Sequence, residues 1–263
     1  MGATKPLFNR GEPYLTILMP CAGEGKRFRE KGYTVPKPLI PIGNGKSTQP
    51  MLKSVIENIR PSTNHWFCFV IREQDKHELI PMLHEWAPRC GILTIDKTEG
   101  AAMSCLAAST GIDPNGQLLV ANCDQLIEEP PKGEWRDWIY DLIEKKPEVH
   151  GRILTMRKEE DDKRWSYVVP DDERHISLVS EKVKVSNRAT TGHYYFSKAS
   201  YFFDSIRCMI GMDDRTNGEF YVAPSYNYMI AGRKVIHEVR IEDYGAKFVG
   251  LGTPEDVEAY NKQ

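Results

Sequence analysis

Residues 15–41 read LTILMPCAGEGKRFREKGYTVPKPLIP, and this stretch decides the fold that the sequence predicts. The apolar run Leu15–Met19 has the length of one buried strand. A glycine-rich turn follows at once, and two cations come after it, Arg27 and then Lys37, which stands between two prolines. A strand, a glycine-rich turn and two fixed cations together predict a site for a polyphosphate.

The residue types of this turn suit contact with phosphate. Gly23 and Gly25 let backbone N–H groups approach an anion closely, because no Cβ stands in the way. Arg27 offers a planar fork of donors, whereas Lys37 offers a point charge on a backbone that its flanking prolines restrict. We expect the polyphosphate to contact this stretch, including the neighbouring Ala22 and Lys26.

Three other interpretations use similar residues. A dinucleotide-binding motif, G-x-G-x-x-G, needs a third glycine where Phe28 stands. A P-loop needs G-x-x-x-x-G-K-[ST]; Gly45, Lys46 and Ser47 match its end, but Ile40 replaces its first glycine, so we interpret this segment as a surface turn. The glycines alone are as typical of a tight turn without a ligand.

Apolar strands alternate with helical spacings along the chain. Strands are predicted at 15–19, 65–71, 91–95 and 117–121, with helices at 51–59, 75–86 and 101–110. Because these strands are apolar throughout, we predict an α/β fold, a Rossmann-like, mostly parallel sheet with helices on both faces. Shorter strands at 152–156, 165–169 and 175–180 predict a small β-rich portion, followed by strands at 189–196 and 234–239 and helices at 135–145, 198–210, 219–231 and 254–261.

The whole string, G-x-G-x-R-F followed by P-K-P-L, resembles the signature of the sugar-phosphate nucleotidylyltransferases, or nucleoside-diphosphate-sugar pyrophosphorylases. The resemblance implies that the loop wraps a nucleoside triphosphate and that Arg27 and Lys37 neutralise its phosphates. It implies an N-terminal arm at 1–13 and one domain at 14–263, with a nucleotide-binding part at about 14–130 and an acceptor-binding part at about 150–240. The likeness covers nearly the full length and is strongest before residue 125.

Asp124 follows the strand at 117–121 within a cluster of polar residues. A carboxylate there suits Mg²⁺, which takes oxygen ligands and bridges to substrate phosphates, although an Asp in a turn is common after strands. The resembling family carries its metal-binding Asp at this point, which implies Mg²⁺ as the cofactor and Asp124 as its ligand. Asn122 and Gln125 are then supporting amides.

Three further segments resemble substrate-binding elements of that family. Gly100 and Ala101 match a segment that lines the nucleobase, although a small-residue helix start explains them equally well. Glu181-Lys182 matches an acceptor-binding Glu-Lys-Pro element whose proline is replaced here by Val183; an exposed strand lysine is the alternative. Two more acceptor-binding candidates, from a matching Thr-Gly segment, are Thr191 and Gly192.

The sequence departs from the family at a second metal-binding Asp. The corresponding stretch, Glu219–Ser225, has no Asp, and neither has the closing segment Gly250–Thr253. Glu219, Asn227 or Asp243 are the candidates to compensate, unless substrate oxygens and water complete the metal site.

Composition limits the partners. The formal net charge of −2 over 263 residues gives no field that recruits nucleic acid or a membrane, so any phosphate binding depends on local cations. The six cysteines have no C-x-x-C spacing, which favours reduced thiols over a disulfide framework or a zinc site. With a polar start and no signal-peptide pattern, we expect a cytoplasmic protein.

The reaction that the resemblance implies is nucleotidyl transfer from CTP, UTP or dTTP to a phosphorylated sugar or small phosphorylated metabolite. The N-x-D-Q ending and the F-Y-V-A-P stretch look like a subgroup of surface-polysaccharide pathways. Two alternatives stay open: a glycosyltransferase, whose D-x-D motif Asn122-Cys123-Asp124 half matches, and a non-catalytic nucleotide-sensing homologue. The sequence does not reveal the oligomeric state.

Overall fold

A computed structural model describes residues 15–43, 47–128 and 137–262. Four strands lie side by side in the first half of its main sheet, in the order β5 (Cys90–Ile95), β4 (His65–Arg72), β1 (Leu15–Pro20) and β6 (Gln117–Ala121). All three pairings among them are parallel. The carboxyl ends of these strands therefore lie at one edge, and the predicted Rossmann-like arrangement is confirmed.

The second half of the sheet is mixed. Its strands are β8 (Gly151–Arg157), β9 (Ser166–Pro170), β10 (Ile176–Glu181), β11 (Arg188–Phe196) and β12 (Ile236–Arg240). β11 joins the two halves, because it pairs antiparallel with β6, β8 and β9. β10 pairs antiparallel with β9, while β12 pairs parallel with β8. The predicted β-rich portion is present, and the parallel strands are concentrated in the first half.

Two small sheets were not predicted. One pairs β2 (Pro41–Gly43) with β3 (Thr48–Pro50), and the other pairs β7 (Gln125–Glu128) with β13 (Lys247–Gly250). The second small sheet matters for the site because its strand β13 brings the segment 247–251 close to the end of β6. The N–H of Leu251 donates to the carbonyl oxygen of Asp124 at 2.8 Å.

Helices pack on both faces of the sheet. Ile17 and Met19 of β1 belong to a core shared with α2 (Met51–Ile59), α3 (Lys76–Trp86), α5 (Asp137–Ile143) and α8 (Pro254–Asn261). Leu18, between them, belongs to the opposite core with α4 (Ala101–Ala107), α6 (Ala199–Gly211) and α7 (Ser225–Ala231). Alternate residues of one strand thus enter different cores, which explains why the strand is apolar throughout.

The predicted helix at 219–231 is wrong in its first half. The helix α7 begins at Ser225, and Pro224 occupies the position just before it. Proline disfavours helical geometry in the residue before it, so a helix does not run through this point. Residues 219–224 instead follow an irregular course, which carries side chains into the cleft described below.

Some predictions fall outside the described residues: the arm at 1–13, Gly45 and Lys46 of the surface turn, and the first two residues of the helix at 135–145. Within the described ranges, no helix is long and apolar enough to cross a membrane.

Candidate active site

A cleft of about 580 Å³ lies at the edge of the sheet where β1 and β6 end. Most of the residues predicted for the site line it: Ala22, Gly23, Gly25, Lys26, Arg27, Lys37, Gly100, Ala101, Asp124, Glu181 and Gly192. Two are not in its lining, Lys182 and Thr191. The structure thus brings together segments that are more than 150 residues apart in the sequence.

The loop after β1 is shaped by Gly25. This residue has φ 60° and stands at the start of a short helix, α1 (Lys26–Glu30). Left-handed backbone is unfavourable for residues with a Cβ, and a Cβ here would also come within 3.3 Å of the Cβ of Lys37. Gly25 therefore both turns the chain and lets Lys37 pass beneath the loop.

Lys37 and Asp124 form an ion pair at the floor of the cleft. The ammonium of Lys37 donates to Oδ2 of Asp124, and the two side chains are 18% and 19% exposed. Burial lowers the pKa of Lys37, but the Asp124 carboxylate raises it by more, so the pKa lies above its ordinary value. Phe28 packs beside the pair, with its ring centroid 5.6 Å from the Lys37 ammonium. Lys37 is therefore a fixed, charged lysine.

Arg27 differs from Lys37 in being exposed. Among the described residues it has no hydrogen bond or ion pair with another side chain. Its neighbour Lys26 makes only a 3.8 Å exposed contact with Glu30. Both cations are thus available to an anionic ligand that enters from solvent.

Gly100 and Ala101 lie opposite the loop, where α4 begins. The N–H of Phe220 donates to Glu99 O at 2.8 Å, and Ala102 N–H donates to Phe220 O at 3.1 Å. Gly100 has φ 122°, and a Cβ on it would stand 2.4 Å from the carbonyl oxygen of Phe220. Glycine is required here because the segment 219–224 packs directly against it.

The predicted acceptor-binding part contributes Glu181 and Gly192 to the lining of the cleft. Glu181 is buried at the end of β10, accepts a hydrogen bond from the Ser166 hydroxyl, and has its pKa raised by burial. Lys182 follows it, and its ammonium donates to the hydroxyl of Tyr221, which lines the cleft. The structure thus places Lys182 beside the cleft, behind a tyrosine.

Thr191 is not brought to the cleft. Its side chain is fully buried, and its hydroxyl donates to Leu154 O at 3.2 Å. Gly192, the next residue on β11, does line the cleft, and the amide of Gln125 lies against it. Successive strand residues point to opposite faces, so a Thr-Gly pair on a strand presents only one of its members to a ligand.

Asp124 fits the prediction of a magnesium ligand. Its Oδ2 is bonded to Lys37, and its Oδ1 has no protein partner within the described ranges. Mg²⁺ often uses one or two carboxylates and completes its shell with phosphate oxygens and water. In the part of the chain that is described, no cluster of three or more His, Cys, Asp or Glu side chains forms a metal site. One carboxylate with substrate oxygens is therefore the arrangement that these residues allow.

Of the three candidates to replace the second Asp, only Glu219 lines the cleft. The Asn227 amide is used on the edge strand β10, where it bonds both the N–H and the carbonyl of Val179, at 2.9 and 2.7 Å. Asp243 pairs with Arg174 outside the cleft lining.

Two cysteines line the cleft near the loop that follows β1. Cys21 follows β1, Cys123 precedes Asp124, and their side chains are hydrogen-bonded to each other. This bond, with burial, raises the pKa of Cys21 well above its usual range, while it lowers that of Cys123. All six cysteines are free, as the sequence predicts.

Several lining residues were missed by sequence analysis, including Arg164, Trp165 and Tyr221. Trp165 was assigned to the start of a strand and Tyr221 to a helix, while Arg164 lies between two predicted strands. The F-Y-V-A-P resemblance marked the Tyr221 segment, but nothing local indicated that its side chain enters a cleft.

Parallel strand ends that present a glycine-rich loop, cations and one carboxylate to a cleft define a nucleotide-binding α/β protein. A comparison with protein families agrees with this class. The model of the nucleotidyl transferase family matches residues 16–215. The match spans most of the chain, which therefore belongs to the nucleotidyl transferase family.

Curated relatives include the bifunctional protein GlmU of Methanocaldococcus jannaschii, 27% identical over 250 residues, which are 94% of this chain and 54% of that protein. The protein of the same name from Methanococcus aeolicus is 24% identical over 180 residues, 67% of this chain and 38% of its own length. The chain thus spans about half or less of these relatives.

Solved structures share the fold. A nucleoside-diphosphate-sugar pyrophosphorylase from Vibrio cholerae RC9 aligns with a TM-score of 0.75 at 22% identity, over 94% of this chain and 100% of that one. An inositol-1-phosphate CTP transferase from T. maritima aligns with a TM-score of 0.72 at 14% identity, over 95% of each chain. These likenesses confirm the predicted Rossmann-like α/β fold.

Proposed function

We propose that this chain joins a nucleoside triphosphate (CTP, UTP or dTTP) to a phosphorylated sugar or small phosphorylated metabolite and releases pyrophosphate. The observation that carries the proposal is the cleft itself. Its lining includes the exposed Arg27, the Lys37–Asp124 pair and Glu181, and Lys182 lies beside it behind Tyr221. Two anionic substrates therefore have separate cationic contacts in one cleft.

The chemistry needs alignment and charge neutralisation more than proton transfer. An acceptor phosphate oxygen forms a bond to the α-phosphorus, and the bond between that phosphorus and the bridging oxygen to the β-phosphate breaks. A phosphate monoester is already a nucleophile near neutral pH, so no catalytic base is required. Arg27 and Lys37 offset the charge of the triphosphate and of the leaving pyrophosphate, and Lys182 orients the acceptor.

The remaining predicted residues have supporting roles in this proposal. Ala22, Gly23, Gly25 and Lys26 surround the phosphates, while Gly100 and Ala101 meet the nucleobase. Glu181 and Gly192 contact the acceptor, and Thr191 supports Gly192's strand, β11, through its bond to Leu154 O. Asp124 would hold Mg²⁺, which supplies charge stabilisation at the α-phosphate when bound.

The acceptor class and pathway rest on resemblance. The N-x-D-Q and F-Y-V-A-P segments support a role in surface polysaccharide biosynthesis. The structural likeness to a protein described as an inositol-1-phosphate CTP transferase supports CTP with a small phosphorylated alcohol. Free cysteines throughout the chain are compatible with a cytoplasmic protein.

The test is a pyrophosphate-release screen with Mg²⁺. CTP, UTP and dTTP, with GTP and ATP as further donors, are each paired with sugar 1-phosphates and small phospho-alcohols. Release that requires one triphosphate and one acceptor, and that disappears without Mg²⁺, supports the proposal. Cleavage of a nucleotide sugar without pyrophosphate release would instead indicate a glycosyltransferase. Tight triphosphate binding with no release from any pair would indicate a sensing homologue.

A further inference from the structure

Lys182 is held by its backbone in an unusual conformation. It directly follows β10 and has φ 60°, a left-handed value that is uncommon in residues other than glycine, Asn and Asp. Its N–H donates to the carbonyl oxygen of Trp165 at 3.0 Å, which fixes the bend against β9. Left-handed backbone in a long-chain residue persists where neighbouring contacts hold it, and such residues cluster at functional sites.

The side chain of Lys182 is held by Tyr221. The ammonium donates to the phenolic oxygen and lies 4.3 Å from the centroid of the ring. The phenolic O–H in turn donates to Oε2 of Glu219 at 2.8 Å. Hydrogen bonds among the side chains of Lys182, Tyr221 and Glu219 thus connect the end of β10 to the irregular segment 219–224. Glu219 and Tyr221 line the cleft.

Tyr221 is itself firmly placed. The preceding residue, Phe220, is buried and exchanges backbone hydrogen bonds with Glu99 and Ala102 at 2.8 and 3.1 Å. The guanidinium of Arg215 stacks on the Phe220 ring, 4.3 Å from its centroid. The hydroxyl that meets Lys182 is therefore carried by an anchored segment rather than by a free loop.

The two lysines of the site have partners of different charge. Lys37 is paired with a carboxylate, whereas the direct partner of Lys182 is a neutral phenol. The Lys182 ammonium has three N–H donors, so an incoming phosphate oxygen can accept from one of them while another keeps its bond to the neutral phenol. The carboxylate of Glu219 stays one group away, bonded through the phenolic proton.

We propose that Tyr221 is the positioning residue for acceptor binding: it restrains the Lys182 ammonium beside the cleft, where that ammonium receives the acceptor's phosphate. The inference rests on the proposed function, since it assigns Lys182 to the acceptor. A lysine side chain has many rotamers, and restraint before binding reduces the ordering that the acceptor would otherwise impose. Tyr221 acts through Lys182 and touches no reacting atom.

The experiment is a double-mutant cycle in the pyrophosphate-release assay, with the acceptor and triphosphate that give turnover. We expect Tyr221→Phe, which keeps the ring and loses the hydroxyl, to raise the acceptor KM about tenfold, the loss of roughly one hydrogen bond to a charged group. The kcat should stay within about twofold, and the triphosphate KM should not change, because only the lysine's placement is altered. In a Lys182→Ala background, Tyr221→Phe should have no further effect on the acceptor KM.

Tyr228→Phe is the matched control. Tyr228 also donates to a carboxylate, Asp214 Oδ2 at 3.0 Å, but it lies outside the cleft lining, so this variant should behave as wild type. The inference is overturned if Tyr221→Phe leaves the acceptor KM unchanged, or if its effect persists in full without Lys182. Absence of pyrophosphate release from the wild type would refute the proposed function instead.

A binding measurement decides the inference without turnover. Inorganic phosphate is titrated calorimetrically into protein saturated with a triphosphate, so that the nucleotide end of the cleft is occupied. We expect wild type and Tyr228→Phe to bind phosphate about tenfold more tightly than Tyr221→Phe. Equal binding by all three, or no binding to any, would overturn the inference.

Discussion

The ion pair at the floor of the cleft gives the sharpest prediction. Lys37→Ala removes the ammonium and leaves the Asp124 carboxylate, 19% exposed, without a counter-charge. Lys37 also supplies the contact that the proposed reaction uses against the triphosphate. One substitution should therefore lower both stability and rate, for separate physical reasons.

The size of each effect follows from burial. Removing one partner of a fully buried pair costs about 3–5 kcal/mol, and a pair that water partly reaches should cost less, about 1–3 kcal/mol. In a domain of this size, that corresponds to a fall in Tm of roughly 2–10 °C. The rate of pyrophosphate release should fall about a hundredfold or more, as for other pre-organised electrostatic contacts.

The pH dependence is constrained by the pKa of Lys37. Its pKa is raised in the folded protein, so its stabilisation is complete below the unfolded pKa of about 10.4 and is lost only as the pH rises through the folded value. The difference in Tm between wild type and Lys37→Ala should thus stay constant from pH 6 to 9. A difference that fades across this range would refute the assignment of a charged, paired lysine.

The assay compares thermal unfolding and pyrophosphate release in both single variants and in Lys37→Ala/Asp124→Ala. The double variant contains no uncompensated charge, so it should be less destabilised than the sum of the single variants while remaining inactive. Lys31→Ala is the control, because Lys31 pairs with Glu255 at 3.0 Å on the surface and should show neither effect. Strictly additive destabilisation, or a folded Lys37→Ala with near-normal turnover, would show that the pair is incidental.

Three further predictions concern residues that support the fold around the cleft. Gly100→Ala should weaken triphosphate binding at least tenfold, measured by calorimetry, because its Cβ would meet Phe220 O at 2.4 Å and displace segment 219–224. His193 is buried with a pKa lowered to about 4 by desolvation, so folding excludes its protonated form; urea unfolding should show about 2 kcal/mol of stability lost between pH 7 and 5, absent in His193→Gln. Thr253→Ala should cost about 1 kcal/mol in the same unfolding assay, because it removes one side of the capping box with Asp256.

Controls accompany these three variants. Gly111→Ala places its Cβ in open space and should bind the triphosphate as wild type does. A pH slope that is identical in wild type and His193→Gln would mean that other groups cause the loss. Unchanged stability of Thr253→Ala would mean that water replaces the cap at no cost.

Most of the residues predicted to contact the triphosphate lie in one local string, and the structure brings them to one cleft. Gly25, Arg27 and Lys37 follow a single strand, and Asp124 follows a neighbouring parallel strand whose end must lie at the same edge. The pairing of Lys37 with Asp124 was not predicted, since it joins residues 87 apart in the sequence and depends on the course of the chain between them.

The candidate acceptor-binding residues were harder to predict because a strand residue lines the cleft only if its side chain points to the cleft face of the sheet. Thr191 and Gly192 were grouped as neighbours, yet only Gly192 lines the cleft. Tyr221 was assigned to a helix over 219–231, although Pro224 lies within that range. In the structure Phe220 and Val222 are buried in an irregular segment, and Tyr221 between them lines the cleft.

Three of the cations in or beside the cleft are in different electrostatic states. Arg27 is exposed and unpaired within the described residues, Lys182 rests on a neutral phenol, and Lys37 is bound to a carboxylate. A polyphosphate that approaches from solvent meets Arg27 without displacing anything. In the proposed reaction, a triphosphate that replaces Asp124 as the partner of Lys37 would leave the carboxylate without a counter-charge, unless a divalent cation bound to the phosphates takes that place. The pairing of Lys37 with Asp124 therefore supports, within the proposed function, a metal–triphosphate complex rather than the free triphosphate as the substrate.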